Sequence, residues 1–371
     1  MTEPLTALEP ETTEEKTYVA SQWQLMWWRF RKHRLAMVAT VVVVLLYVLA
    51  VSPEFFATHD PNKQYALVTY LPPQGIHFQG LRPFVYGIKQ QRNPETLGME
   101  YSADTSVQYF IRFFVHGQEY KLLGLFTTDV HLVGVEADQE PMPLHLFGAD
   151  RLGRDMWSRI MYATRISLSI GLVGVAISLF IGILLGGISG YYGGLVDVII
   201  QRIIEFLRSI PTIPLWLALS AAVPPTWTVI QVYFAITVLL SLIGWTGLAR
   251  VVRGRFLSLR EQDFVLSARL CGTSELGIIF RHMLPSFLSH IIASTTLAVP
   301  SMILSETSLS FLGLGLRPPA ISWGILLNEA QNLQTVANAP WLLIPGLFVI
   351  ITILGFNFMG DGLRDAADPY G

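Results

Sequence analysis

Two aspartates set among arginines are the first residues of this sequence that could perform chemistry. Asp150 and Asp155 flank Gly153 in the segment LFGADRLGRDMWSRI, residues 146–160. Two neighbouring carboxylates could bind a metal ion or act as an acid and a base. Three cations are interleaved with them: Arg151, Arg154 and Arg159. We therefore favour a structural role, in which paired charges stabilise a tight turn that leads into a helix.

The standard catalytic patterns are missing from the rest of the chain. GxxxxGK[ST], HExxH, CxxC and GxSxG are absent, and no lysine follows a glycine. These absences exclude a P-loop for ATP, a zinc-protease site and a nucleophile elbow. We expect His282 to orient the end of a short helix, and Cys271, the single cysteine, to be a small buried side chain. We predict a non-enzymatic chain that binds no cofactor or metal.

The composition indicates a membrane protein. Of 371 residues, 52% are hydrophobic and only 14% are charged, with a mean hydropathy of +0.48. So little charge is not typical of a soluble protein of this length. The formal net charge of −2 argues against a nucleic-acid partner. We predict an all-α polytopic membrane protein with a small β-rich extracytoplasmic insert.

Six apolar runs are long enough to cross a bilayer of about 30 Å, once their flanks are included. The predicted spans cover residues 35–51, 166–188, 203–223, 229–248, 287–304 and 341–358. The second span carries glycines at four-residue spacing, which lets helices approach closely. They are Gly182, Gly186 and Gly190.

Basic clusters predict the orientation. Residues 1–20 are polar and predicted to be disordered, whereas residues 23–34 mix tryptophans with arginines, which suits an interfacial helix at a cytoplasmic surface. A second cluster of six arginines lies between residues 250 and 281. Both clusters place the N-terminus, the C-terminus and this central loop in the cytoplasm.

The region between the first two spans, residues 52–146, must then lie outside. Its alternating stretches, broken by glycine, proline and aspartate, predict a small β-rich domain. Such an insert could simply pack on the membrane domain, contact a solute receptor or cover the mouth of a pore. The sequence leaves these three alternatives open.

The third span contains charges and prolines. Arg202, Glu205 and Arg208 lie at successive i+3 steps near one end, where structural salt bridges are favoured over a functional charge site. Pro211 and Pro214 are expected to kink the helix, which makes them candidates for a gate beside a pore.

A polar island between the fourth and fifth spans is the main candidate for a docking element. The segment DFVLSARLCGTSELGIIFRHMLP, residues 263–285, predicts two short helices broken at Gly272. Thr273 is the expected N-cap and Pro285 the expected stop. Four apolar residues of the second helix are predicted to form one stripe: Leu276, Ile279, Phe280 and Met283.

Four motifs resemble those of ABC-importer permeases of the dipeptide, oligopeptide and nickel family. The island resembles the cytoplasmic EAA loop through Gly272, His282 and Pro285, although Leu266 and Ser267 replace the family's glutamate and first alanine. The GTDxxGRD signature is matched, with Ala149 in place of its threonine, by Gly148, Asp150, Gly153, Arg154 and Asp155. The remaining two resemblances are FLGLGLRPPAISWG, residues 311–324, and GDGLRDAADP, residues 360–369.

The resemblance implies a permease with one accessory helix, residues 35–51, and a type I five-helix core within residues 147–371. A cytoplasmic coupling loop at about residues 250–286 would dock into an ATPase subunit. The residues assigned to coupling are Ser267, Ala268, Gly272, Thr273, Leu276, His282 and Pro285. No glutamate role of the family is transferred to this loop.

The same resemblance implies partners and cargo. A homologous permease would complete the pore, two ATPase subunits would bind ATP and Mg²⁺, and an extracytoplasmic solute-binding protein would dock from outside. The location would be a bacterial or archaeal inner membrane. Oligopeptides or dipeptides are the favoured cargo, with oligosaccharides or nickel chelates as the alternative. An ion-coupled carrier working alone would instead need ionisable residues near the middle of the membrane.

Overall fold

A computed structural model describes residues 21–92, 94, 99–135 and 143–367. The disorder predicted for residues 1–20 and the last residues of the GDGLRDAADP motif lie outside these ranges. The helices are α1 Gln22–Lys32, α2 Arg34–Val51, α3 Pro53–Phe56, α4 Met156–Tyr192, α5 Gly194–Ser209, α6 Thr212–Ala221, α7 Val229–Leu259, α8 Asp263–Leu270, α9 Glu275–Gly277, α10 Leu284–Ser286, α11 Leu288–Phe311, α12 Trp323–Asn328, α13 Leu333–Asn338 and α14 Ile344–Ala367.

Five helical segments among the described residues are long and apolar enough to cross a membrane. They are α2, α4, α7, α11 and the run Pro340–Ala367 that contains α14. The pair α5 and α6 raises the number to six if it is counted as one bent span. The mostly helical fold with five or six spans is therefore as predicted.

The predicted third span is wrong as a single kinked helix. Helices α5 and α6 are bent by 86° relative to one another at a short break. Ile210 in this break is extended, with φ −85° and ψ 130°, because the ring of the following Pro211 disfavours a helical conformation of the residue before it. Pro211 thus ends one helix and precedes another.

Two helices extend past the ends of the predicted spans. Helix α11 continues beyond residue 304 to Phe311, so that its last residues include the SETSLSF segment. Ser305 Oγ in this segment is satisfied inside the helix, where it donates a hydrogen bond of 2.7 Å to the Ser301 carbonyl oxygen. Helix α14 likewise continues through the start of the GDGLRDAADP motif to Ala367.

The glycine face of the second span packs α4 against α7, as predicted. A Cβ on Gly186 would lie 2.9 Å from the Cα of Ala249. A Cβ on Gly190 would lie 2.7 Å from the carbonyl oxygen of Arg253. No side chain fits in this space, so glycine sets the distance between the two longest helices.

The insert is a four-stranded antiparallel sheet in the order β1-β2-β3-β4, as the alternating pattern predicted. Its strands are β1 His77–Gln79, β2 Arg82–Arg92, β3 Met99–Leu122 and β4 Phe126–Val135. His131 Nδ1 donates to the carbonyl oxygens of Ala57, at 2.8 Å, and Glu54, at 3.0 Å. The sheet is therefore attached to the chain directly after α2.

The helix bundle has two distinguishable ends. The sheet end contains the last residue of α2, Val51, and the first of α4, Met156. The loop end contains the last residue of α4, Tyr192, together with α8 to α10. The main apolar core lies between these ends and includes Met156, Ile160, Leu240, Ile303 and Trp323, all nearly fully buried.

Candidate functional site

The loop between α7 and α11 turns sharply at Gly272. The residue has φ +73°, a left-handed conformation that glycine adopts without a Cβ clash. The amide of Gly272 donates to the Arg269 carbonyl at 3.0 Å, and that of Thr273 donates to the Ala268 carbonyl at 3.1 Å. These two bonds form a Schellman motif that closes α8. The predicted break at Gly272 is present.

The second half of the loop differs from the prediction at both ends. Ser274, not Thr273, is the N-cap, because its hydroxyl accepts a hydrogen bond from the Gly277 amide. Pro285 does not end the helix. It lies in the first turn of α10, where its missing amide hydrogen leaves no bond unmade, and the helical run ends at Ser286.

A π-helical segment, Ile278–Met283, joins α9 to α10. Its wider turn changes which side chains face the protein. Ile278, Ile279 and Met283 are buried, whereas Leu276 is 66% exposed and Phe280 is 56% exposed. The predicted single stripe is therefore wrong: half of it packs on the bundle and half faces outwards.

The loop carries five exposed apolar side chains. We call the set the exposed loop residues: Phe264, Leu266, Leu270, Leu276 and Phe280. They come from both halves of the loop, on either side of the Gly272 turn. Beneath them, Val265, Ile278, Ile279 and Met283 share a core cluster with Phe256 of α7. The loop is thus a packed element with an apolar outer surface.

The loop is attached to the end of α4 by polar contacts. Tyr192 Oη donates 2.7 Å to a carboxylate oxygen of Glu275. The guanidinium of Arg269 lies 5.7 Å from the centre of the Tyr191 ring. Each half of the loop therefore has its own contact with the same helix end.

A bidentate ion pair fixes the neighbouring helices at this end. Arg253 Nε and Nη2 of α7 each donate 2.5 Å to the carboxylate of Asp197 in α5. Asp197 also accepts a hydrogen bond of 2.5 Å from Ser189 Oγ. Bidentate pairs of this kind fix orientation as well as distance.

The remaining residues predicted for this loop occupy different environments. Ser267 is exposed and Ala268 is buried, while His282 is half-buried. A Cβ on Gly272 would meet no atom within 4 Å. Cys271 is exposed, so the expectation that it is buried is wrong. It lies in the turn itself, where α8 has already ended.

The signature turn, residues 148–155, lies at the sheet end, far from the loop. Asp150 is fully buried and accepts a hydrogen bond of 2.6 Å from Arg154 Nε. Arg154 Nη2 donates 2.8 Å to Glu329, and burial raises the pKa of the Glu329 carboxyl. The predicted structural pairing is present for Asp150, and Arg154 links this turn to the segment after α12.

Asp155 has a different role from the one predicted. It is the N-cap of α4, and its carboxylate accepts a hydrogen bond of 2.7 Å from the Ser158 amide. The basic side chain beside it is His59, whose Nδ1 lies 3.8 Å from a carboxylate oxygen, and not an arginine. Burial, with a smaller contribution from neighbouring His59, lowers the pKa of His145 to about 4.

The two glycines of the signature turn have no space for a side chain. Gly148 has φ +73° and Gly153 has φ +72°. A Cβ on Gly153 would overlap the carbonyl oxygen of Tyr65, and one on Gly148 would lie 3.0 Å from the Pro73 nitrogen. Within the described residues no group of three histidine, cysteine or acidic side chains is arranged to hold a metal ion.

The candidate gate residues lie at the bend between α5 and α6. Pro211 precedes α6 and Pro214 lies in its first turn, and both are exposed. Arg202 and Glu205 pair at 2.7 Å on the exposed surface of α5, as predicted, whereas Arg208 takes no part in this pair.

Sequence reasoning missed one buried carboxyl group. Glu306 of α11 is fully buried and accepts hydrogen bonds from Ser310 Oγ, at 2.8 Å, and Ser167 Oγ, at 3.3 Å. Ser167 Oγ also accepts 3.1 Å from the Trp323 amide. Glu306 therefore connects α11, α4 and α12. The serines that surround it in the sequence were the available signal.

Two family profiles match the chain. Residues 182–370 match "Binding-protein-dependent transport system inner membrane component". Residues 21–73 match "N-terminal TM domain of oligopeptide transport permease C". Together they include the accessory helix, the loop and the last span, and they leave out the whole sheet.

Individual relatives agree with these profiles. The dipeptide transport system permease protein DppC of Bacillus subtilis is 39% identical over 236 residues, which cover 63% of this chain and 71% of the relative. The oligopeptide transport system permease protein OppC of Haemophilus influenzae is 43% identical over 226 residues, 61% of this chain and 70% of the relative. A chain of the inward-facing MetNI methionine ABC transporter has a TM-score of 0.45 at 18% identity, covering 57% of this chain and 97% of that one.

Proposed function

This chain belongs to the family of binding-protein-dependent transport system inner membrane components, and on that premise we propose that it imports oligopeptides or dipeptides as part of an ATP-driven complex. It is a multi-pass permease of the ABC-transporter class. The peptide cargo is supported by relatives whose names specify dipeptide and oligopeptide transport. Oligosaccharides and nickel chelates are not favoured.

The loop from Asp263 to Ser286 is the site at which an ATPase subunit would dock. The observation that carries this proposal is the exposure of apolar side chains from both of its halves, above all Leu270 in the first half and Leu276 in the second. Apolar anchors of this kind dominate the energetics of protein interfaces. The open space around Gly272 would allow a partner to approach the turn closely.

The contact between Tyr192 and Glu275 supplies the route by which docking would act on the pore. A displacement of the loop pulls on the end of α4, which packs through its glycines against α7. Coupling requires that the loop makes different contacts in the two states of the ATPase. Pro211 and Pro214, at the 86° bend, are the proposed hinge of the gate.

The complete importer would contain three further kinds of component. A homologous permease lines the other half of the pathway, and two ATPase subunits bind ATP and Mg²⁺ at the loop end. A solute-binding protein docks at the sheet end. In this arrangement the loop end and both chain termini are cytoplasmic, in agreement with the arginine clusters. The membrane is a bacterial or archaeal inner membrane.

The test is reconstitution of the chain with its partner subunits, followed by co-purification and peptide uptake. Leu276→Asp should lose the ATPase subunits and reduce uptake at least tenfold, because a charge would be placed in an apolar interface. Leu81→Asp, at a leucine in the β1–β2 turn that is 99% exposed, is the control and should retain the subunits. Retention of full uptake by Leu276→Asp would refute the docking role. Binding of sugars but not peptides by the cognate solute-binding protein would refute the proposal that peptides are the cargo.

A further inference from the structure

The β3–β4 hairpin ends in an apolar tip that no other part of the described chain covers. Leu123, Leu125 and Phe126 are 54%, 75% and 66% exposed. The tip reads Leu-Gly-Leu-Phe and carries no charge, while Lys121 precedes it. Neither family profile includes this hairpin, so the family gives it no role.

The turn at the tip holds a leucine in a conformation that other residues prefer. Leu123 has φ +54° and Gly124 has φ +72°, and the Leu125 amide donates 3.0 Å to the Leu122 carbonyl. Asparagine, aspartate or glycine is preferred at the first of these positions because a Cβ is unfavourable there. A leucine therefore stands at a position where turn chemistry alone would select a small or polar residue.

The middle of the hairpin lies close to the point where the membrane helix α2 ends. Helix α3 begins two residues after the last residue of the membrane helix α2, and His131 of β4 donates to the Ala57 carbonyl just beyond α3. Phe55 of α3 also packs against Phe114 of β3, with 6.3 Å between their ring centres. Both strands are thus held where a membrane helix leaves the bilayer.

The last residue of β4, Val135, lies over the helix bundle. Val135 shares a cluster with Leu144, and Leu146 packs against it. The next residue, Phe147, contacts Trp157 in the first turn of α4, with 5.0 Å between ring centres. Between Val135 and His131 the strand therefore passes from the start of α4 to the residues just after α2, across the sheet end of the bundle.

Continued in the same direction, β4 passes beyond α2. Phe126 is five residues from His131, a distance of about 16 Å along an extended strand. Helix α2 is peripheral, since one of its faces, including Val44, Leu45 and Val48, is exposed and faces lipid in a membrane. On this course the tip would lie past the edge of the bundle, beside the bilayer surface.

We propose that the tip of the β3–β4 hairpin inserts into the lipid surface at the sheet end, beside α2. Leucine and phenylalanine side chains bury in the boundary between headgroups and acyl chains, and Lys121 faces the phosphates. The inserted tip braces the sheet against the bilayer at a second point besides α3. A lipid surface is the occupant because the hairpin continues from the membrane boundary that α2 and α3 already define.

The experiment measures the depth of the tip in the full chain reconstituted into phosphatidylcholine and phosphatidylglycerol vesicles. In a Cys271→Ser background, Leu125→Cys is labelled with an environment-sensitive fluorophore. Vesicles contain lipids with a nitroxide on the headgroup, on acyl carbon 5 or on acyl carbon 12. Phe126→Cys provides a second tip site, and Gln91→Cys, exposed at the opposite end of the sheet, is the matched control.

Both tip labels should emit at a shorter wavelength in vesicles than the same fluorophore does in buffer without detergent. They should be quenched at least twofold more by the headgroup and carbon-5 nitroxides than the Gln91 label is. Equal, weak quenching at all three sites would overturn the proposal. It would also be overturned if the tip labels changed emission only after a solute-binding protein was added, because a protein would then be the occupant.

Discussion

Tyr192, the last residue of α4, donates a hydrogen bond of 2.7 Å to Glu275, the first residue of α9. The two residues are 83 positions apart in the chain, and both are exposed. This bond is therefore unnecessary for burying the core. It joins a membrane helix to the loop that carries the exposed apolar residues, so its effect should be on coupling and not on folding.

Tyr192→Phe is expected to leave folding intact and to weaken coupling. Because this bond links the loop to α4, the peptide transported per ATP hydrolysed should fall about two- to fivefold without it. The measurement is uptake and phosphate release in the same proteoliposomes. Glu275→Gln keeps an acceptor oxygen and should lose less. Coupling unchanged in Tyr192→Phe, or equal loss in both variants, would contradict this role.

Gly186→Ala should destabilise the packing of α4 against α7. The added Cβ would lie 2.9 Å from the Cα of Ala249, so the helices must separate, at a cost of about 1–3 kcal/mol. Thermal unfolding in detergent, followed by tryptophan fluorescence, measures the effect.

Gly254→Ala is the matched control for this helix pair. A Cβ at Gly254 meets no atom within 4 Å, and alanine is favoured over glycine in a helix by up to about 1 kcal/mol. Its melting temperature should stay the same or rise. Equal melting temperatures of Gly186→Ala and the unmodified protein would show that the two helices can separate freely.

Arg154→Met should destabilise the protein strongly. The guanidinium lies between the buried Asp150, at 2.6 Å, and Glu329, at 2.8 Å. Its removal leaves the buried Asp150 with Arg159, at 3.5 Å, as its remaining cation, so the cost should approach but not exceed the roughly 3–5 kcal/mol of a broken buried pair. Arg202→Met breaks an exposed pair and should cost under about 1 kcal/mol. The two melting temperatures are compared in one detergent, and similar values would refute the structural role of the signature turn.

The membrane character and most spans could be predicted because hydropathy is a property of composition over about twenty residues. The two breaks at Pro211 and Gly272 could also be placed, since proline and glycine act on the local backbone. The 86° bend could not be predicted, because a proline marks a break without fixing its angle.

The surface of the loop was mispredicted for a specific reason. Assigning Leu276, Ile279, Phe280 and Met283 to one stripe assumes 3.6 residues per turn, and the π segment Ile278–Met283 does not have this period. Glu306 was missed because its contacts are not local in the sequence. Its partner Ser167 lies far away in the chain, as does Trp323, whose amide donates to Ser167, and only the fold brings these groups together.

His145 should make the protein sensitive to acid between pH 6.5 and about 4. It is buried against His59, with 4.8 Å between ring centres, and burial lowers its pKa from an ordinary 6.5 to about 4. Above pH 6.5 the imidazole is neutral in both the folded and the unfolded chain. As the pH falls below 6.5, only the unfolded chain takes up the proton, so stability decreases until about pH 4, where the folded chain is protonated too. The total loss is about 3 kcal/mol.

Melting temperatures of the detergent-solubilised chain between pH 7.5 and 4.5 measure this loss. His145→Leu removes the titrating group, and neither ring nitrogen of His145 has a hydrogen-bond partner among the described residues, so the substitution breaks no bond. The variant should match the unmodified protein at pH 7.5 and exceed it at pH 4.5. His116→Leu is the control, because His116 is exposed and pairs with Asp129, so its removal should not protect against acid. Parallel pH profiles of His145→Leu and the unmodified chain would assign the acid sensitivity to other groups.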